Sequence, residues 1–192
     1  MRRIMVSIFL ATALAGGADR VSAQDSGTRD EVGLAVLPLP ASLQASATVL
    51  GYAGSDELHT IREGEGPFVC LADDPNRDGF HVACYHRSLE PYMARGRELR
   101  AAGLGGRENL SKRWEEIDAG TLEMPRHPTF LYQLFAQAPP AGDEDLEGMG
   151  RLTVIYVPYA TAEELGLSAE PEQSVPWMMF PGKPTAHVMI RG

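Results

Sequence analysis

The sequence contains few of the residue types that most often reveal a function. Two of its 192 residues are cysteine and five are histidine. The short motifs of phosphate-binding loops, zinc proteases and serine hydrolases (G-x-x-x-x-G-K-[ST], H-E-x-x-H and G-x-S-x-G) do not occur. We therefore predict no cofactor. A catalytic triad is set by geometry and not by sequence spacing, so a dispersed catalytic site stays open.

Positive charge is also scarce. The chain has 17 lysines and arginines against 26 acidic residues, a formal net charge of −9. Nucleic acids and anionic membranes are bound through basic patches that face phosphate, so this balance disfavours both partners. Beyond the N-terminus, no segment is long and apolar enough to cross a bilayer. We predict no nucleic-acid partner and no membrane insertion of the mature chain.

The N-terminus has the order of a secretory signal peptide. Arg2 and Arg3 precede an apolar run from Ile4 to Ala15, and the small residues V-S-A follow at 21–23. We predict a signal peptide over residues 1–23 and a secreted or periplasmic protein. Cleavage would remove a net charge of +2 and take the formal net charge from −9 to −11, through loss of Arg2, Arg3, Arg20 and Asp19.

Both cysteines lie in "FVCLADDPNRDGFHVACYH", residues 68–86. In an oxidising compartment, two cysteines indicate a disulfide before they indicate metal ligands. Two apolar runs flank a polar loop, which is typical of a hairpin. If the hairpin is symmetrical about Arg77, then Cys70 lies opposite Cys84 and Leu71 lies opposite Ala83. We predict a disulfide-bonded hairpin.

The same stretch offers two weaker metal hypotheses. Its loop matches positions one, three, five and six of an EF-hand calcium loop, at Asp74, Asn76, Asp78 and Gly79. Position twelve falls on Tyr85, however, where a bidentate glutamate is needed. A transition-metal site would have at most Cys70, Cys84 and His86 as ligands, and oxidation would remove two of them. The hairpin is favoured over both.

The remaining patterns predict one α+β domain over residues 47–192, preceded by a mobile lead-in over residues 24–46. Strand patterns at 47–52 and 58–63 join the cysteine hairpin in an expected four-strand meander. Two amphipathic helices follow, and strands return near the C-terminus. Residues 127–136 fit a helix or a strand. We predict an antiparallel sheet with helices inserted between N-terminal and C-terminal strands.

The two helices carry a basic cluster. With Lys112 paired to Glu116 at i, i+4, a solvated helix face is the favoured interpretation, and an anion-binding face is the alternative. The cluster consists of Arg95, Arg97, Arg100, Arg107, Lys112 and Arg113.

Four stretches resemble segments of a family of secreted bacterial proteins that carry signal peptides and have no assigned function. These stretches are "REGEGPFVCLADDP", "ACYHRSLEPYMARGRELR", "YVPYATAEE" and "PWMMFPGKPTAHVMI". The resemblance covers roughly Ala47 to Ile190. It implies an extracytoplasmic single domain, and it implies no activity, cofactor or catalytic residue.

The C-terminal strands offer the best mixture of aromatic and polar side chains for a binding cleft. The ligand-binding candidates are Tyr156, Tyr159, Trp177 and His187. His187 and Met189 share one strand face and are weak candidates for copper ligands. The competing interpretation places all of these side chains in the core.

Three functions remain open. A non-catalytic extracytoplasmic domain that binds a small molecule or a protein is favoured, because it fits the signal, the disulfide and the lack of motifs. A hydrolase-like enzyme with a dispersed site at His127, Tyr159 or His187 is the second. A copper-binding protein that uses the C-terminal histidine and methionine is the third.

We expect the exported protein to begin at Gln24, because the small-residue V-S-A site follows the short apolar run. N-terminal sequencing of protein from the medium or periplasm measures this start. Ala23→Arg should impair cleavage at this position, since the site requires a small residue. Exported wild-type protein that still begins at Met1 would contradict the assignment.

Overall fold

The computed structural model describes residues 30–172 and 174–192. The predicted signal peptide and residues 24–29 of the predicted lead-in lie outside this range. The strands are β1 (Thr48–Gly51), β2 (His59–Arg62), β3 (Phe68–Leu71), β4 (Phe80–His86), β5 (Thr129–Ala136), β6 (Gly150–Tyr156), β7 (Trp177–Met179) and β8 (His187–Arg191). The α-helices are α1 (Glu31–Ala35), α2 (Ala41–Gln44), α3 (Glu90–Ala101), α4 (Gly106–Asp118) and α5 (Ala162–Leu165).

The eight strands form one sheet in the order β2-β1-β3-β4-β5-β6-β8-β7. Helices α3 and α4 follow the first four strands, and the C-terminal strands complete the sheet. The α+β fold class is therefore confirmed. The sheet is mixed rather than wholly antiparallel, because β1 and β3 run parallel to each other.

The predicted meander is wrong in its strand order. β2 lies at the sheet edge beyond β1, and β1 takes the place beside β3. The burial pattern explains this, since β1 is mostly buried whereas β2 begins with two exposed residues. A polar strand suits an edge, and an apolar strand needs cover on both faces. The connection from β2 to β3 passes close to Ser46. A Cβ on Gly64 would lie 2.3 Å from the Ser46 carbonyl oxygen, and a Cβ on Gly66 would lie 2.4 Å from the Ser46 Oγ.

The cysteine hairpin has the predicted register. Cys70 pairs with Cys84 and Leu71 pairs with Ala83 across β3 and β4. The cysteine sulfurs are 2.08 Å apart, and both residues are fully buried. The predicted disulfide is confirmed, and it joins two central strands of the sheet.

The N-terminal segment 30–46 is packed on the sheet, which corrects its assignment to a mobile lead-in. Ala35 is 0% exposed and Leu39 is 3% exposed, within a core cluster that includes both cysteines. The Glu31 carboxylate accepts hydrogen bonds from the backbone N–H groups of Tyr52 at 2.6 Å and Ala53 at 2.9 Å. The apolar residues of segment 30–46 thus cover a sheet face that would otherwise be exposed to water.

Helices α3 and α4 cover part of the opposite face. Their core contacts are made with alternate residues of the central strands, including Val69, Tyr85, Leu131 and Val154. Side chains alternate along a strand, so the residues between these face the N-terminal segment. No helix in the described part of the chain has the length and apolarity needed to span a bilayer.

Replacing both cysteines by alanine should lower the free energy of unfolding by about 2–5 kcal/mol, because the bond restricts the unfolded chain. Urea denaturation of the oxidised wild type and of the double variant measures the difference. Reduced wild type serves as the control and should lose a similar amount. An oxidised protein whose mass is not two hydrogens below that of the reduced form would show that the bond is absent.

Candidate functional site

A cavity of about 960 Å³ lies between α3 and the sheet. The β1–β2 loop and the β3–β4 turn contribute its outer end, through residues such as Tyr52, Asp56 and Arg77. Leu71, Ala83 and Leu131 supply apolar surface from the strands. The cavity therefore combines an apolar floor with charged and polar side chains.

Strand alternation brings the floor residues together. His81, Ala83 and Tyr85 occupy every second position of β4 and line the cavity. Ala83 pairs with Gln133, and Tyr85 pairs with Leu131 on β5. Directly opposed residues share a sheet face, so this short segment of β4 and β5 forms a continuous surface.

Helix α3 contributes one wall. Tyr92, Met93, Gly96, Arg97 and Arg100 line the cavity at spacings of one, three or four residues. Residues three and four apart lie on one helix face. The basic cluster is therefore divided, because Arg97, Arg100 and Arg113 line the cavity whereas Arg95, Arg107 and Lys112 do not.

A hydrogen-bonded ion pair joins the floor to this wall. The hydroxyl of Tyr85, which is 0% exposed, donates to the carboxylate of Glu90. Arg97 donates to the Tyr85 hydroxyl at 3.0 Å and to the other Glu90 oxygen at 2.6 Å. Burial raises the pKa of Tyr85, so the phenol stays protonated. The charge of Arg97 is balanced within this group.

Arg113 reaches the cavity from α4. Its guanidinium carbon lies 4.0 Å from the centroid of the Tyr92 ring, and Nη1 donates to the Tyr92 carbonyl at 3.3 Å. A Cβ at Gly96 would stand 2.8 Å from Nη1, so the absence of a side chain there makes room for the guanidinium. Burial lowers the pKa of Arg113.

The charge of Glu116 acts on Arg113, but that carboxylate is bound by Arg95. None of the salt bridges found among the described residues includes Arg113. Its Nε is buried and has no hydrogen-bond acceptor. Buried charges are normally paired, so this guanidinium is an unusual feature of the cavity.

Two tyrosines lie beside Arg113. The Tyr92 and Tyr156 rings are 6.2 Å apart. Tyr92 hydrogen-bonds to the side chain of Thr185, which also accepts from Trp114 Nε1 at 2.6 Å. The Tyr156 hydroxyl makes no hydrogen bond to the described part of the chain, and burial raises its pKa. It is therefore a protonated donor at neutral pH.

The outer end is more polar. His81 Nε2 lies 3.4 Å from the side-chain oxygen of Gln133, and burial, followed by the charge of Arg77, lowers the pKa of His81. Asp56, Glu57 and Asp74 also line this part of the cavity. The mouth carries charges of both signs.

The four predicted binding residues do not form one cleft. Tyr156 and His187 are adjacent, with ring centroids 5.1 Å apart, but His187 is 8% exposed and Trp177 is also buried. Tyr159 is 50% exposed, and its hydroxyl donates to Asp118 Oδ1 at 2.9 Å. It lines a separate depression together with His127. Of the four candidates, Tyr156 lines the cavity.

The weak copper candidates are packed in the structure. His187 and Met189 share the sheet face that α3 and α4 cover, and Met189 contacts the core there. His187 Nδ1 donates to the Thr185 carbonyl at 2.8 Å. Among the described residues, no group of three or more His, Cys, Asp or Glu side chains could hold a metal ion.

The stretch that resembles a calcium loop forms the β3–β4 turn. There the Asp74 carboxylate accepts a hydrogen bond from the backbone N–H of Asn76 at 2.9 Å.

The sequence interpretation did not single out Arg113 as a site residue. It favoured a solvated face for the basic cluster, with Lys112 paired to Glu116, and kept an anion-binding face as the alternative. Lys112 instead lies 3.7 Å from Glu115, and Arg95 makes two hydrogen bonds to Glu116. Arg113 is three residues after Leu110 and next to Trp114, so it falls on the apolar stripe of α4. That position was a signal that the side chain points inward.

Comparison of the chain with protein-family models, with curated proteins and with solved structures gives no match.

His187 should make the stability of the fold depend on pH. Burial lowers the pKa of His187, so the unfolded chain takes up its proton at a higher pH than the folded protein does. The free energy of unfolding should therefore fall as the pH decreases below about 6.5. His187→Gln should reduce this fall, as measured by urea denaturation between about pH 7.5 and about pH 5.5.

His59→Gln, at an exposed position of the edge strand β2, serves as the control and should leave the pH dependence unchanged. Part of the dependence should remain in His187→Gln, because burial also lowers the pKa of His81. If wild type and His187→Gln show the same dependence of unfolding free energy on pH, protonation of His187 does not destabilise the fold.

Proposed function

We propose that the chain is an extracytoplasmic, non-catalytic binding domain that takes a small molecule into the cavity between α3 and the sheet. The observation that carries the proposal is the cavity itself, with a volume of about 960 Å³. Small-molecule sites typically measure about 300–1,000 Å³ and combine apolar walls with a few polar groups. Leu71, Ala83 and Leu131 offer the apolar surface, and Arg113 and Tyr156 offer donors.

The extracytoplasmic part of the proposal draws on two features. The bonded pair Cys70–Cys84 is compatible with an oxidising compartment, where such bonds persist. The N-terminal pattern of charge, apolar run and small residues is typical of export. A periplasmic or secreted location accounts for both.

The residues that line the cavity favour binding over the hydrolase alternative. No serine, threonine, cysteine or lysine is found among the described residues of its wall, so it offers no aliphatic hydroxyl, thiol or amine nucleophile. The His81 ring contacts the amide of Gln133, and the neighbouring Asp73 carboxylate accepts from the backbone N–H of His81 at 2.8 Å and not from its ring, so no carboxylate orients the imidazole as a base. His127 and Tyr159 lie together elsewhere, whereas His187 is buried apart from them.

A matched pair of tryptophan variants tests the site. The neutral dye N-phenyl-1-naphthylamine, excited outside the absorption of tryptophan, should bind the wild type saturably with a gain in fluorescence. Gln133→Trp should weaken this binding at least tenfold, because the new ring fills the cavity where Gln133 lines it. Gln137→Trp, at an exposed position after β5, should bind as the wild type does.

Amide chemical-shift mapping gives the location of the bound dye. The perturbed amides should include those of Ala83 and Gly96. Equal affinity in the two tryptophan variants, or perturbations centred on the depression beside Tyr159, would overturn the proposal for this cavity. The absence of saturable binding to the wild type would count against it equally.

A further inference from the structure

We infer that the ligand of this cavity carries an anionic group, a carboxylate or a sulfonate, which binds Arg113 at the inner end with the Tyr156 hydroxyl as a second donor. This inference rests on the proposed function and adds the chemical class of the ligand. The apolar part of the ligand would lie on Leu71, Ala83 and Leu131, toward the mouth.

The charges around the inner end leave Arg113 uncompensated. Arg97 is paired with Glu90 at 2.6 Å, and Arg95 is paired with Glu116 at 2.7 Å. The Glu116 carboxylate, whose charge acts on Arg113, is therefore already bound by another guanidinium. Within the described part of the chain, Arg113 forms no salt bridge. A half-buried cation without a counterion is best stabilised by an anion from outside the chain.

The guanidinium is held in place before any ligand arrives. It stacks on Tyr92 at 4.0 Å, and Nη1 is bound to a backbone carbonyl. Gly96 leaves the space that the guanidinium occupies, and the Nδ2 of Asn109 ties the two helices together through the Gly96 carbonyl at 3.0 Å. A preorganised group loses little conformational freedom on binding, which favours affinity.

The donors that remain match an oxyanion. Nη2 of Arg113 makes no hydrogen bond within the described residues, and Nη1 keeps a second N–H after its bond to the Tyr92 carbonyl. An arginine fork binds the two oxygens of a carboxylate or sulfonate. Tyr156 lines the same cavity as Arg113, and its ring lies 6.2 Å from the Tyr92 ring on which Arg113 stacks, so its free phenol hydroxyl belongs to the same end of the cavity.

The acidic residues at the mouth set the orientation. Asp56, Glu57 and Asp74 line the outer part of the cavity. Arg77 and Arg100 offset part of this charge, but a negative excess remains at the outer part, so the anion is favoured at the inner end and the apolar part outside. The chain as a whole carries a net charge of −9, so its general field also disfavours anions. Preference for an acid over a neutral analogue would therefore report a local site.

A pair of ligands with the same shape tests the inference. Naphthalene-2-acetate and naphthalene-2-acetamide are each titrated against the bound N-phenyl-1-naphthylamine. The acid should displace the dye at a concentration at least tenfold lower than the amide. Arg113→Met should remove this preference by weakening the acid while leaving the amide within about twofold of wild type.

Two further variants keep the result interpretable. Arg107→Met removes a charge from the same helix at an exposed position outside the cavity, and it should keep the preference. Gly96→Ala retains the charge of Arg113 but places a methyl group 2.8 Å from Nη1, so it should also reduce the preference. Because alanine favours a helix more than glycine does, this variant tests the site even if Arg113→Met does not fold.

The outcomes separate the inference from the proposed function. If the dye binds and the acid displaces it no better than the amide does, the anionic ligand is excluded while the binding cavity stands. Preference for the acid that survives both Arg113→Met and Gly96→Ala would equally overturn the role of Arg113. If the dye does not bind the wild type, the proposed function fails and the inference fails with it.

Discussion

The pairing of β3 with β4 is the constraint on which the other features of the structure depend. The bond between Cys70 and Cys84 holds one register of these two central strands. A slip of one residue would turn every side chain of a strand to the opposite face. In the observed register, Phe80 and Val82 face the N-terminal segment, whereas His81, Ala83 and Tyr85 face the helices.

The cavity follows from the groups that lie between the helices and the sheet. Where apolar side chains meet, as at Val69, Leu131 and Val154, the two layers pack closely. Next to this contact, the Tyr85–Glu90–Arg97 group and Arg113 take the place of further apolar packing. Buried ion pairs add little net stability compared with apolar residues of similar size. The proposed binding site would account for their presence here.

The opposite face of the same sheet is covered by the N-terminal segment instead of by long helices. The segment 30–46 lays Ala35, Val36 and Leu39 against Val49 and Phe68, and Glu31 attaches its first turn to the loop after β1. Its short helices have few internal hydrogen bonds and gain their order from this packing. The two faces of the sheet are therefore covered by different elements, and the cavity of about 960 Å³ lies on the side of α3.

Local patterns in the sequence determined several features by themselves. The hairpin, its register and its disulfide follow from a polar turn between two apolar runs that each hold a cysteine. The single helical turn α5 follows from the spacing of Thr161 and Glu164, which form a capping box in the structure. The α+β class follows from the change of period along the chain. Each of these depends on neighbours within about twenty residues.

The tertiary structure decided the rest, because the deciding contacts join distant residues. β2 lies at the sheet edge and not between β1 and β3. The segment 127–136, whose pattern fits a helix or a strand, contains β5, which lies between β4 and β6. The Tyr159 hydroxyl donates to Asp118, which lies 41 residues earlier in the sequence, and not to His187. Arg113 entered the cavity because Gly96 on another helix leaves room for it. Composition shows that a cation is present, but the packing of α4 against α3 decides whether it is exposed on the surface or lines the cavity.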